Sequence, residues 1–162
     1  MAALHELAPE IQPRNPTWDI DDYASHVVLN LGKALEAAES NEIDLSSQKQ
    51  SPFWHEDPVR TKAVQEALTE ATILCLELAK TRQLPIRYSD LRLNWAHGLK
   101  FLVIRATTSI GETHWDVSHN NPVNAIGGIN MTLAYIEDFS KTQGWQLGEL
   151  VDKALSNGSK VF

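Results

Sequence analysis

The chain of 162 residues contains a single cysteine, Cys75. A disulfide within the chain and a cysteine-rich metal centre are therefore excluded, and the apolar surroundings of Cys75 predict a buried, unreactive thiol. A chain of this length buries about 70% of its unfolded surface, so the fold needs neither kind of cross-link. One unpaired thiol fits a reducing compartment, and we expect a cytoplasmic protein.

Long apolar runs and clusters of basic residues are also missing. The first residues, MAALHELAPEIQP, do not have the pattern of a secretory signal, and no apolar stretch approaches the length that crosses a bilayer. The formal charge is −7, and the 14 lysines and arginines form no basic stripe. Such a charge distribution repels phosphate backbones, so we expect neither direct nucleic-acid binding nor membrane insertion.

The sequence motifs of several enzyme classes are absent. The chain has no Gly-rich phosphate loop, no GxSxG elbow, no HExxH motif and no paired CxxC. No alternation of apolar and polar residues is long enough to predict a strand. The remaining pattern is helical, and it predicts an all-α bundle of two similar antiparallel helical hairpins.

The segment 57–81 is the best-defined element of this bundle. Asp57 is a favourable N-cap, and Pro58 suits the first position of a helix. Apolar residues recur at helical spacing, and from residue 71 to residue 79 they surround the helix. Three amphipathic helices do not readily cover such a segment. The pattern therefore predicts self-association, with a dimer favoured.

The second half of the chain repeats this helix-start signal of an N-capping residue followed by proline. In both halves a tryptophan precedes an N-capping residue that is followed by proline and valine: Trp54 and Asp57 in the first half, Trp115 and Asn121 in the second. We interpret the repeat as an internal duplication of a helical hairpin.

The whole chain is interpreted as a single domain. It consists of an N-terminal arm at 1–18, a first hairpin at 19–86, and a second hairpin at 87–162 that includes a short C-terminal helix. The arm is expected to lie over the surface or over a neighbouring subunit. Helices are expected at about 20–40, 58–81, 89–113, 122–143 and 147–157. The segment HWDVSHNN at 114–121 is expected to be a loop, and Gly144 is expected to end a helix in the left-handed conformation.

Four glutamates are candidate ligands for Mg²⁺. They form pairs spaced by three or four residues in the two long helices of the first hairpin: Glu36, Glu39, Glu66 and Glu70. Antiparallel helices would bring the two pairs together, and Mg²⁺ prefers oxygen ligands. A solvated surface with salt bridges to Lys33 and Lys62 explains the same pattern.

The segments before the two repeated helix starts carry a second candidate cluster. It unites histidines and carboxylates that meet only if both segments lie at one end of the bundle: His55, Glu56, Asp57, His114, Asp116 and His119. These side chains suit a transition metal or acid/base chemistry, although six histidines in one chain make chance groupings easy. Trp54 and Trp115 either cover the ends of the core or stack on a base or sugar.

Gly127 and Gly128 lie inside a predicted helix, where two glycines cost about 2 kcal/mol relative to alanine. Close approach of another helix would offset this cost. Close approach of a ligand is the alternative, with hydrogen bonds from Asn121, Asn124 and Asn130.

The region from about residue 99 to residue 155 resembles the all-α nucleotide pyrophosphohydrolases of the MazG type. Residues 110–112, Ile-Gly-Glu, resemble the end of that family's metal-binding helix, and residues 125–128 fall where it carries a second acidic pair. Residues 144–149 resemble the turn into its last helix. The resemblance implies an all-α fold, oligomerisation and Mg²⁺-dependent hydrolysis of nucleoside triphosphates, with Glu112 as the metal ligand that remains. Asp116, one helical turn further on, is a candidate second ligand.

Several positions depart from the family pattern where it carries acids. Glycine replaces an aspartate at Gly128, alanine replaces a glutamate at Ala125, and Thr108 and Ser109 replace paired glutamates. In the first half, Lys33 takes the position that matches Glu112. The chain therefore predicts a non-catalytic interaction or regulatory module with a nucleotide or protein partner. A Mg²⁺-dependent pyrophosphohydrolase or a nucleotide-binding protein is the alternative.

Overall fold

The computed structural model describes residues 3–39, 53–88 and 98–158. Within these ranges the chain forms six α-helices and no strand: α1 Leu4–Leu7, α2 Ile20–Glu39, α3 Pro58–Thr81, α4 Gly98–Ser118, α5 Pro122–Thr142 and α6 Leu147–Gly158. Two short 3₁₀ turns, Ala8–Glu10 and Trp54–Glu56, follow α1 and precede α3. The predicted all-α class is confirmed. No helix in the described ranges combines the length and apolarity that a membrane span requires.

Two helix pairs form the bundle. Helix α2 packs along α3, α4 packs along α5, and α2 also lies against α4. Ion pairs at both ends show that α2 and α4 are antiparallel, because Lys100 lies 3.1 Å from Glu39 and His114 lies 2.5 Å from Asp21. The two hairpins are as predicted, and the internal duplication stays a prediction.

The start of α3 is capped as the sequence indicates. The Asp57 carboxylate accepts hydrogen bonds from the backbone amides of Val59 at 3.0 Å and Arg60 at 3.4 Å. The Arg60 side chain donates to Asp57 and also to the carbonyl of Ala38, 3.2 Å away at the end of α2. The cap therefore also fixes the start of α3 beside the end of α2.

The middle of α3 is enclosed by its own chain. Every residue from Ala71 to Ala79 is buried, beneath α2, α5, α6 and the N-terminal arm. The arm contributes Leu4, Leu7 and Ile11 to the core, so it completes the interior instead of lying loosely over the surface. The apolar stretch of α3 thus does not require cover from a second copy.

Cys75 lies in this enclosed part of α3. Its side chain is fully buried, and burial raises the pKa of the thiol to about 12. The predicted burial of Cys75 is confirmed, and a protonated, inaccessible thiol is expected to be a poor nucleophile.

The segment predicted as a loop at 114–121 is mostly helical, and that prediction is wrong. Helix α4 continues to Ser118 and ends where Asn120 takes a left-handed φ of 55°. The amide of Asn121 then donates to the carbonyl of Asp116 at 2.8 Å, which closes the helix in a Schellman motif. No residue between 113 and 119 interrupts the helix, so it runs to the first asparagine that readily adopts the left-handed conformation.

Helices α3 and α5 end with the same hydrogen-bond pattern. Gln83 and Gly144 have positive φ values of 56° and 81°, and the predicted role of Gly144 is confirmed. The following amides, of Leu84 and Trp145, donate back to carbonyls five residues earlier at 2.7 and 2.9 Å. The predicted start of the third long helix at residue 89, and most of the connection between α2 and α3, lie outside the described residues.

Candidate functional site

The four glutamates predicted to hold Mg²⁺ are not brought together. Glu70 accepts from Arg14 at 2.6 Å, Glu66 lies 4.0 Å from Lys62, and Glu39 pairs with Lys100. Glu36 is exposed. In the part of the chain that the structure describes, no three His, Cys, Asp or Glu side chains are grouped in a way that would hold a metal. Three of the four carboxylates therefore pair with three different cations.

The histidine and carboxylate cluster is divided between opposite ends of the bundle. His55, Glu56 and Asp57 precede α3, beside the end of α2, as the contact between Arg60 and Ala38 shows. The second group lies at the end of α4, which contacts the start of α2: His114, Asp116 and His119. The 20 residues of α2, roughly 30 Å of helix, separate the groups. The condition for this cluster, that both segments lie at one end of the bundle, is not met because α4 runs antiparallel to α2.

The two tryptophans have different surroundings. Trp54 is half-buried and packs near Phe139 and Trp145, with ring centroids 6.4 and 6.0 Å away, so it covers one end of the core. Trp115 is 61% exposed and stacks on His119 at 3.7 Å. The core-covering interpretation therefore holds for Trp54 and not for Trp115.

Glu112 and Asp116 occupy one face of α4, one turn apart. Glu112 is exposed, Asp116 is half-buried, and neither carboxylate forms an ion pair with another described residue. These two carboxylates are predicted metal ligands that the fold leaves accessible, as it does Glu36.

The start of α5 is mainly open to solvent. Asn121, Asn124 and Gly127 are exposed, and the side chain of Asn121 makes no capping hydrogen bond. A methyl group at Gly127 would meet no atom within 4 Å. Asn130 lies apart from them, because its side chain binds the backbone of Pro85 and Arg87.

Gly128 is pressed against α4. A Cβ atom at Gly128 would overlap the hydroxyl of Thr113 and would lie 3.2 Å from the Ser109 carbonyl oxygen and from the Thr113 amide nitrogen. Backbone atoms cannot yield as a flexible side chain can. Helix packing therefore accounts for Gly128, as one of the two interpretations predicted, and it does not account for Gly127.

A cleft of about 960 Å³ lies between the N-terminal arm, α2, α3 and α6. We call this space the arm cleft. Its walls include Arg14 and Trp18 from the arm, Leu29 from α2, Ile73 from α3 and Leu155 from α6. The volume is at the upper end of the range that small-molecule sites occupy.

Arg14 fixes the arm to the wall of the cleft. Its guanidinium donates to Glu70 at 2.6 Å and to Glu77 at 2.9 Å, and its backbone amide also donates to Glu77. Burial by itself lowers the pKa of Arg14, but the hydrogen bonds to Glu77 and Glu70 outweigh it and raise the pKa above its ordinary value. The side chain of Glu77 is only 1% exposed, so this pair compensates a buried carboxylate.

Two buried polar side chains line the arm cleft with unused hydrogen-bonding capacity. Asn30 is 9% exposed and donates to the carbonyl of His26, while its own side-chain oxygen accepts no hydrogen bond from a described residue. Thr69 is 6% exposed, and its hydroxyl has no hydrogen bond within the described ranges. Among the described residues, the buried side-chain atom that lacks a hydrogen-bond partner is the Tyr23 hydroxyl, so the free atoms of Asn30 and Thr69 are open to solvent and to a molecule in the cleft.

Three lysines surround the cleft: Lys33, Lys62 and Lys153. All three are exposed, and Lys33 and Lys153 form no ion pair with any described residue. Lys62 makes only the long contact with Glu66 noted above. The lining also includes Glu10, Glu66 and Glu70. Glu70 is paired with Arg14 and Glu66 lies near Lys62, so Lys33 and Lys153 are the lysines of the cleft that have no ion pair among the described residues.

Trp18 is the aromatic side chain of the cleft. Its ring stacks on His26 at 4.2 Å with 28° between the planes, and Tyr23 contacts it edge-on at 5.4 Å. One face of the indole is therefore already covered by His26.

Sequence reasoning missed the arm cleft. It assigned the arm to the surface and treated Lys33 and Lys62 as partners for glutamates. One signal was present: Leu29 and Lys33 lie on α2 away from the apolar stripe of Val27, Leu31 and Ala34, which marks an apolar residue outside the core.

Comparison of the chain with protein-family models, with curated proteins and with solved structures finds no match.

Proposed function

We propose that the chain is a non-catalytic interaction or regulatory module with a MazG-like helical fold, and that it acts by binding a ligand in the arm cleft. The observation that carries this proposal is the pairing of Glu70 with Arg14 at 2.6 Å. The Glu70 carboxylate, which the sequence pattern predicts as a Mg²⁺ ligand, is instead bound by Arg14 of the same chain. Glu70 is thus not free to bind Mg²⁺, which supports ligand binding without metal in the cleft beside it.

The chemistry of the cleft supports binding without turnover. A small-molecule site typically combines apolar walls with a few placed polar groups, and Asn30, Thr69 and Arg14 are such groups. Of the residues suited to nucleophilic or base chemistry nearby, Cys75 is buried in α3, and the His26 ring is stacked on Trp18. We further propose a cytoplasmic location, and we keep self-association as a proposal that rests on the sequence resemblance, since the apolar stretch of α3 is covered within the chain. Light scattering tests the self-association directly.

A ligand screen with and without Mg²⁺ tests this function. Thermal-shift measurements on the whole chain would use nucleoside mono- and triphosphates and simple organic acids, each with Mg²⁺ or with EDTA. We expect at least one ligand to raise the melting temperature equally in both conditions, with no pyrophosphate released from triphosphates. Stabilisation that requires Mg²⁺ together with pyrophosphate release would overturn the proposal.

Mg²⁺-dependent hydrolysis of nucleoside triphosphates is the second candidate, and Glu112 and Asp116 favour it. These two accessible carboxylates on α4 would hold Mg²⁺, because this ion often takes one or two protein carboxylates and completes its shell with water and phosphate. The metal would neutralise phosphate charge beside the acidic chain. Glu112→Gln should then abolish pyrophosphate release, whereas the matched change Glu36→Gln on the exposed face of α2 should not affect it.

A further inference from the structure

We propose that the arm cleft binds, without metal, an amphiphilic organic anion whose acidic group lies at Lys33 and Lys153 and whose body is aliphatic. This inference deepens the proposed function and rests on it, since it names the class of ligand for the same cleft. It follows from three observations: the two lysines without an ion pair, the composition of the walls, and the free hydrogen-bonding capacity of Asn30 and Thr69.

The lysines define one end of the ligand. Lys33 and Lys153 project from α2 and α6 with no anionic partner among the described residues, and Lys62 projects from α3 with only a 4.0 Å contact. Lys33 and Lys153 therefore line the cleft as cations without an ion pair among the described residues, although Glu10 and Glu66 line it too. An acidic group that lies beside these two lysines gains electrostatic attraction.

The polar side chains lie on the same helix faces as the lysines. Asn30 is one turn before Lys33 on α2, and Thr69 is two turns after Lys62 on α3. The Thr69 hydroxyl can donate to an oxygen of the acidic group, and the Asn30 oxygen can accept from a hydroxyl or a protonated acid. A polar zone thus extends from the lysines into the interior of the cleft.

The walls define the body of the ligand. Aliphatic side chains from the arm and from all three helices line the cleft, among them Ile11, Leu29, Ile73, Leu150 and Leu155. Leu29 is 50% exposed although it is apolar, so a ligand that covers it gains hydrophobic free energy. The single indole is stacked on His26, which leaves less aromatic surface for a flat ring than aliphatic surface for an alkyl group.

Isothermal titration calorimetry of the whole chain in EDTA tests this inference with three probes. Decanoate carries the acidic group and the aliphatic body, decanol lacks the charge, and adenosine monophosphate carries a phosphate with an aromatic base. We expect decanoate to bind at least about tenfold more tightly than the other two, because only decanoate matches both the lysines and the aliphatic wall.

Two variants with matched controls assign the interaction to the cleft. Lys33→Gln combined with Lys153→Gln should weaken decanoate binding roughly 5- to 30-fold, whereas Lys100→Gln, outside the cleft, should leave it unchanged. Leu29→Asn should weaken binding roughly fivefold or more, and Ile104→Asn, an exposed apolar residue on α4, should not. Thr69→Val should reduce affinity without lowering the melting temperature, because it removes a hydroxyl that has no partner in the free protein.

The possible results distinguish failure of the inferred ligand class from failure of the proposed function. Equal affinity for decanol would overturn the role of the lysines. Tighter binding of adenosine monophosphate in EDTA would overturn the aliphatic class and leave metal-free ligand binding intact. Mg²⁺-dependent pyrophosphate release that Glu112→Gln abolishes would overturn the proposed function itself. Binding of decanoate that is insensitive to both cleft variants would place the ligand elsewhere and overturn the inference.

Discussion

Gly127 and Gly128 are neighbours in sequence with opposite surroundings, and one methyl group distinguishes them. Gly128→Ala should lower the free energy of unfolding by roughly 1–3 kcal/mol, because the backbone of α4 lies 3.2 Å from the added carbon. Gly127→Ala should raise it by up to about 1 kcal/mol, because the site is open and alanine favours the helix. Urea denaturation of both variants measures the difference.

The double variant Gly128→Ala with Thr113→Ala provides the internal control. Removing the Thr113 hydroxyl relieves the closest overlap, so the two losses of stability should sum to more than the loss in the double variant. Greater stability of both single glycine variants would show that the helix contact at Gly128 is looser than the structure describes.

Arg14 is a second residue at which one substitution has a large expected effect. Arg14→Gln should lower the free energy of unfolding by about 3 kcal/mol or more, because it leaves the buried Glu77 carboxylate without its cation. Lys62→Gln removes an exposed ion pair instead and should change stability by less than about 1 kcal/mol. Chemical denaturation gives both values.

Adding Glu77→Gln to Arg14→Gln should recover part of the loss, since the orphaned charge is then removed. A double variant as unstable as the sum of its single changes would contradict charge burial as the cause.

At the scale of elements, the start of α3 links helix capping to pH. Burial opposes ionisation of Asp57, but hydrogen bonds from Arg60 and Val59 outweigh it and lower the pKa of the carboxyl. A carboxyl with a lowered folded pKa stabilises the native state above its unfolded pKa, about 3.9, and loses that contribution as pH falls through the folded value.

The capping residue can be tested by its pH dependence. Asp57→Ala should lower the melting temperature by a few degrees at pH 7, and the difference from the unaltered chain should shrink below about pH 4. Asp57→Asn should retain much of the cap without the acid dependence, because asparagine also accepts from first-turn amides. A difference that stays constant down to pH 2 would show that the carboxylate charge does not contribute.

Helix starts and ends could be predicted where one residue type carries the signal. Pro58 and Pro122 mark helix starts, and Gly144 marks an end because glycine adopts positive φ without strain. Gln83 and Asn120 end helices in the same conformation, but neither residue type indicates this strongly enough in a sequence. The extension of α4 to Ser118 was missed for that reason, and the loop assigned to His114, Trp115 and Asp116 was a consequence.

At the scale of the whole molecule, the contacts between helices determine features that the sequence pattern does not predict: what covers α3 and which way α4 runs relative to α2. Periodicity predicts which face of α3 is apolar, but it does not say whether the cover comes from another copy or from an arm broken by prolines. The direction of α4 relative to α2 was equally unreadable, and that direction places the two histidine groups at opposite ends. The arm cleft exists because arm, α2, α3 and α6 meet, a juxtaposition that no local pattern encodes.

Removal of residues 1–12 tests whether the arm covers apolar surface of α3 that a second copy of the chain would otherwise bury. The truncated chain loses Leu4, Leu7 and Ile11, each at most 6% exposed, and uncovers the apolar middle of α3. Because each buried aliphatic side chain contributes roughly 2–5 kcal/mol, we expect a marked loss of stability. We also expect stronger self-association than in the full chain, because burial of the uncovered apolar surface by a second copy is favourable.

Light scattering at matched concentrations, under conditions where circular dichroism shows retained helix, measures the association. The control changes, His5→Ser and Glu6→Ser, alter exposed positions of the same arm and should leave mass and stability unchanged. A truncated chain with the mass and stability of the full chain would show that the arm is dispensable cover.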